Sequence, residues 1–136
     1  MTIVFLFAII VVGVALLALI ARFGPRPKPH LNQEYFQVRW AEVLARVKTS
    51  DDGMVLAVID ADKLLDDALK KRHFKGNNMG ERLVAAQRSL SNNDSAWYAH
   101  KLRNRLVHEP DVKLKRREAQ DALTGFRQAL RDLGAL

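Results

Sequence analysis

In the stretch KLRNRLVHEP, Lys101 to Pro110, two arginines, an asparagine and a histidine crowd the last turns of a helix that the proline must end. A guanidinium presents a planar fork of donors suited to phosphate or carboxylate oxygens. An imidazole moves protons near neutral pH. Asn104 and His108 stand one helical turn apart, so the amide can fix the ring's orientation or tautomer, directly or through water. A histidine in a last turn is also favoured by the helix dipole alone.

Drawn at about 100° per residue, positions 96 to 108 place Ala99, Leu102 and Leu106 on a packing arc. Beside it, in angular order, come Arg103, Val107, His100, Asn104, Trp97 and His108. Arg103 falls between Leu106 and Val107, where an amphipathic helix carries an apolar side chain. Desolvating a guanidinium there is costly unless an anion meets it. Two partners fit: an aspartate of the long helix upstream, Asp60 or Asp67 for example, or a phosphate group.

The segment RNRLVH, Arg103 to His108, resembles the signature of HEPN domains, helical bundles that include many metal-independent endoribonucleases. Their pattern is an arginine, usually a polar residue after it, and a histidine a few residues later at the end of a helix. Arg103, Asn104 and His108 match these positions, with four residues between the arginine and the histidine. The resemblance implies an all-α bundle and a catalytic set of Arg103, His108 and Asn104. In that chemistry an RNA 2′-hydroxyl attacks the adjacent phosphorus and leaves a cyclic phosphate and a free 5′-hydroxyl. His108 would move the proton, and Arg103 would hold the charge growing on the nonbridging oxygens. It also implies a homodimer that pairs the motif helices of two protomers, with RNA as the partner. Trp97, His100, Arg105 and Val107 would then form the dimer or substrate rim. Some family members have lost catalysis, so the alternative is a non-enzymatic dimerisation or protein-interaction module.

No cofactor is implied. Four histidines and no cysteine give no recognisable metal site, and His100 and His108 are two turns apart, beyond a one-turn ligand pair. KGNNMG, Lys75 to Gly80, lacks the lysine placement and preceding strand of a phosphate loop and reads as a turn. KKRHFK, Lys70 to Lys75, reads as a solvated helix end, with an RNA-backbone track as the competing reading.

The elements that must position these residues follow an apolar run. Ile3 to Ala21 contains no charged side chain, and at about 1.5 Å per residue it nearly matches a hydrocarbon core of roughly 30 Å. Residues 1–22 therefore read as a transmembrane anchor. A cleaved signal peptide fits less well, since only Met1 and Thr2 precede the run and Leu19 spoils a small-residue cleavage site at Ala21. Arg22, Arg26 and Lys28 follow the run, so the positive-inside bias puts the N-terminus outside and the remainder in the cytoplasm. Of the net charge of +7, three positives belong to this flank and four to the domain. That surplus suits anionic lipid and nucleic acid alike.

A linker over residues 23–31 carries Pro25, Pro27 and Pro29, which favour an extended spacer. Residues 32–136 then read as a cytoplasmic HEPN-like bundle of four to five helices. The first runs from an Asn32 cap to about Lys48 with Phe36, Trp40, Val43 and Val47 buried. After a break at Ser50 to Gly53, the second spans Met54 to Phe74. Its apolar line is Val58, Ala61, Leu65 and Ala68, with Asp60, Asp62, Asp66 and Asp67 on the flanks. Glu81 to Leu90 forms a short helix, and an Asp94 cap opens the motif helix over Ser95 to His108. Asp111 opens the last helix, which buries Ala119, Leu123, Phe126, Leu130 and Leu133 and turns KLKRR to solvent.

Overall fold

The computed structural model describes residues 1–24 and 29–136, and every regular element among them is helical. Of the expected linker over residues 23–31, residues 25–28 lie outside the described residues, Phe23 ends the first helix and residues 29–31 form no regular element. The first helix, α1 (Thr2–Phe23), is long and apolar enough to cross a membrane and buries no residue against the rest of the chain. At 22 residues it measures about 33 Å.

Five helices build the bundle: α2 (Gln33–Val47), α3 (Asp51–Lys71), α4 (Met79–Ala86), α5 (Asn93–His108) and α6 (Arg116–Asp132). A short 3₁₀ turn, Gln87–Ser89, follows α4. The Asn32 carboxamide accepts from the Tyr35 N–H at 3.2 Å and fixes the start of α2, as the sequence implies. Phe36, Trp40 and Val43 are buried, and Val47 packs at the core's edge.

Other boundaries move, each for a local reason. The α3 helix begins three residues before Met54 because the Ser50 hydroxyl accepts from the Gly53 N–H, with Asp51 and Asp52 on the favourable side of the helix dipole. Gly53 lies inside that first turn; a Cβ there would collide with the Arg46 carbonyl and the Thr49 hydroxyl, so glycine lets the two helices turn tightly. The helix stops at Lys71, short of Phe74, where His73 takes a φ of 60°. Asn78 caps α4, drawing Met79 and Gly80 out of the expected turn into the helix, and Asn92 rather than Asp94 caps α5. The last helix starts at Arg116, five residues after Asp111, where the Glu118 carboxylate accepts from the Lys115 N–H.

The α3 helix is the hub, packed against α2, α4, α5 and α6. Its whole expected apolar line is buried, as is that of α6 from Ala119 to Leu133. Phe36 and Phe126, both fully buried, contribute roughly 1.5–3 kcal/mol each through area removed from water. Chain order fixes the ends. The Gln33 side chain donates to the Gly134 carbonyl and Arg72 Nη1 donates to the Pro29 carbonyl, so the start of α2 and the ends of α3 and α6 gather where the linker enters. The motif helix α5 packs along α6, with Gly125 against Ser95, and carries His108 toward the opposite end.

Candidate functional site

Asp62 sits on α3 between Val58 and Leu65, one turn from each, and is only 3% exposed. Its flank position in the sequence reading is thus corrected: at about 40° from Val58 on the wheel it belongs to the buried face. A buried carboxylate must be paired. Across the α3–α5 contact, Asp62 Oδ1 lies 2.8 Å from His100 Nδ1, and Oδ2 lies 3.2 Å from Arg103 Nε. The anion that meets Arg103 is therefore an aspartate of the long helix, but Asp62 rather than Asp60 or Asp67. Asp60 instead pairs with Arg46, and Asp67 with Lys71.

Asn104 closes the group. Arg103 Nη1 donates to Asn104 Oδ1 at 2.9 Å, and Asn104 Nδ2 stands 3.3 Å from His100 Nε2. Donor and acceptor chemistry orders the protons around this ring of four residues. A guanidinium only donates, so Asn104 must turn its oxygen to Arg103 and its NH₂ to the histidine. A carboxylate only accepts, so His100 carries its proton on Nδ1 and accepts at Nε2. Both ring nitrogens of His100 are thus occupied. The histidine that Asn104 orients is thus His100, a turn before it, and not His108, a turn after it.

Burial separates the residues further. His100 is buried to 8% exposure and has no place on an open rim, whereas the Arg103 side chain keeps 24% and reaches a half-open cleft of about 380 Å³. That cleft is lined by Asp62, Lys63, Asp66, Asn78, Gly80 and Arg103, among others. Arg103 Nε is buried and faces Asp62 without hydrogen-bond alignment, so this contact is charge pairing. Trp97 packs edge-on to His100 with centroids 6.0 Å apart and lies against Gly80 of α4. Arg105 approaches Glu109 at 4.0 Å on the solvent side, where screening leaves little. Val107 is 46% exposed, and His108 is exposed at the last position of α5.

Arg103 and His108 do not converge within one chain. The α5 helix continues through His108, so five helical steps set the two side chains about 140° apart around the axis.

A second buried ion pair lies beside the first. Arg82 of α4, 7% exposed, grips Asp66 with two bonds of 2.7 and 3.1 Å and donates to the Gly76 carbonyl at 2.7 Å; Lys70 adds a contact of 2.7 Å to Asp66. This locks α4 and its preceding loop onto α3. Burial pushes the Asp66 carboxyl up, but the bonds and charges of Arg82 and Lys70 outweigh it and hold the pKa below the usual carboxylate value. A lowered folded-state pKa gives stability that is present above the unfolded value, about 3.9, and lost as pH falls below it. Acid titration of unfolding should therefore show wild type losing stability below about pH 4 more steeply than Asp66→Asn, which lacks this term.

No protein-family model, curated protein or solved structure matches the chain. The site accordingly rests on its own geometry.

Asp62 is the residue that sequence reasoning missed. Its signal was an aspartate inside one apolar arc and an arginine inside another, two displaced charges of opposite sign on helices long enough to pair. Of the lysines in KKRHFK, Lys70 and Lys71 are tied to Asp66 and Asp67.

Proposed function

We propose that the chain is a single-pass, membrane-anchored protein whose HEPN-like helical domain works as a cytoplasmic interaction module rather than as a nuclease. One observation carries this reading: Arg103, His100 and Asn104 spend their polar groups on buried Asp62 and on each other. A guanidinium neutralised by its own chain is a poor trap for phosphate. The motif then works as a clamp between α3 and α5. Arg22, Arg26 and Lys28 after the apolar helix support the cytoplasmic placement. The resemblance supplies the partner, a second copy of the chain, and confinement to a bilayer raises the effective concentration for that encounter.

The ribonuclease reading keeps one observation in its favour. His108 is exposed and Arg103 reaches the cleft, so a partner protomer could complete a site that one chain leaves open. Full-length chain in neutral lipid nanodiscs, mixed with RNA in chelator, decides between them. The module reading expects self-association by cross-linking and no fragments with cyclic-phosphate ends. Such fragments from wild type, absent with an Arg103→Ala, His108→Ala variant of unchanged helix content, would establish the nuclease instead.

A further inference from the structure

The end of the bundle where the linker enters carries a group of cations that the site described above does not use. Arg72 directs Nη1 to the Pro29 carbonyl at 3.0 Å, its Nε is buried without a partner, and no carboxylate meets it among the described residues. Lys75 is exposed nearby and makes no ion pair there. Lys70 and Lys71 precede them with side chains 58% and 49% exposed, each paired at 2.7 Å with an acid one turn back on α3. Lys71 also lies over the ring of Tyr35, 4.3 Å from its centroid, on the first turn of α2. Glu34 is the exposed acid of that turn.

Covalent connection limits how far this end can stand from a bilayer. Four residues lie between Gly24, which ends α1, and Pro29, so five Cα steps allow at most about 18 Å of extended chain. Arg72 touches Pro29, so the cationic end of α3 is tethered within roughly two Debye lengths of the headgroups at physiological salt. The basic run of Lys113, Lys115, Arg116 and Arg117 lies at the start of α6, at the opposite end.

We propose that Arg72 and Lys75, with Lys70 and Lys71 beside them, form a docking surface for the anionic headgroups of the membrane that holds α1. The inference rests on the anchored reading. Its occupant follows from charge and placement: the tether keeps a negative surface constantly within reach of a guanidinium and an ammonium that no carboxylate among the described residues neutralises. Docking fixes the bundle's attitude, with the linker end against the lipid and His108 at the far end of α5. Near an anionic surface each cation shifts the docked-to-free ratio about five-fold, so removing two shifts it roughly 25-fold.

The test uses the full chain with a fluorophore at Val38→Cys, an exposed position on α2 in a protein without native cysteine. Energy transfer to acceptor lipids is measured in nanodiscs of phosphatidylcholine alone and with phosphatidylglycerol. Transfer should rise with the anionic lipid and fall back in about 0.5 M salt, where screening is nearly complete. Arg72→Gln, Lys75→Gln should remove the rise, while Lys113→Gln, Lys115→Gln should keep it. Equal transfer in both lipids, or equal loss in the two double variants, would overturn the proposal. So would binding of a fluorescent single-stranded RNA to the neutral discs that the Arg72→Gln, Lys75→Gln variant loses. Chain that fails to enter neutral discs at all would remove the anchor reading and the docking surface together; chain that enters without docking removes only the latter.

Discussion

Asp62→Ala should remove about 3–5 kcal/mol of the bundle's stability, since it strands a partly buried guanidinium and a buried imidazole. For a domain of about 100 residues this corresponds to a fall in Tm of at least about 12 °C. The size follows from position. Asp62 is 3% exposed and serves Arg103 and His100 at once, so its loss leaves the buried Nε of Arg103 and the buried ring of His100 without their carboxylate. Asp60→Ala is the control two residues away. Its pair with Arg46 is formed at 3.0 Å by side chains 34% and 52% exposed, and its loss should cost less than about 1 kcal/mol. Thermal unfolding of both variants, followed by helix content in the same detergent, measures the contrast. Comparable shifts for the two would mean that Asp62 is not the clamp described.

The second large effect is expected at Gly125, where α6 meets the start of α5. A Cβ there would lie 2.6 Å from the Ser95 carbonyl oxygen and 2.8 Å from its hydroxyl. Two contributions compete. Gly→Ala inside a helix gains about 1 kcal/mol in propensity. Against this stands overpacking, which costs about 1–3 kcal/mol where neighbours cannot yield, and a main-chain carbonyl in a helix yields little. Gly125→Ala should therefore be destabilising on balance, and Gly125→Val more so, because the branched side chain adds bulk and lowers the propensity gain. A neutral Gly125→Val in chemical denaturation would show that α5 and α6 separate easily at this crossing.

Much of this architecture was legible from periodicity. The apolar lines of α2, α3 and α6 are the buried lines, because spacings of three and four fix a face whatever the neighbours are. Helix starts were less legible. Ser50, Asn78 and Asn92 each cap a helix earlier than expected, and in such runs of polar residues several side chains qualify while only one reaches the free N–H groups. At the site, the sequence signalled that Arg103 needs an anion and that Asn104 orients a histidine. Which anion and which histidine depend on how α3 and α5 are placed side by side, a tertiary fact outside the reach of a single-helix wheel. His100, which the resemblance implies for a dimer or substrate rim, is buried because α3 brings Asp62 opposite it.

A double-mutant cycle between Asp62 and Arg103 tests most directly whether the motif arginine is committed to its own chain. Stabilities of wild type, Asp62→Ala, Arg103→Ala and the double variant are compared under identical conditions. A clamp predicts that Arg103→Ala is itself destabilising and that the pair couples by about 1.5–3 kcal/mol. An Arg103→Ala variant as stable as wild type or more stable, with no coupling to Asp62, would contradict it and mark Arg103 as a residue held ready for a ligand at the cost of stability.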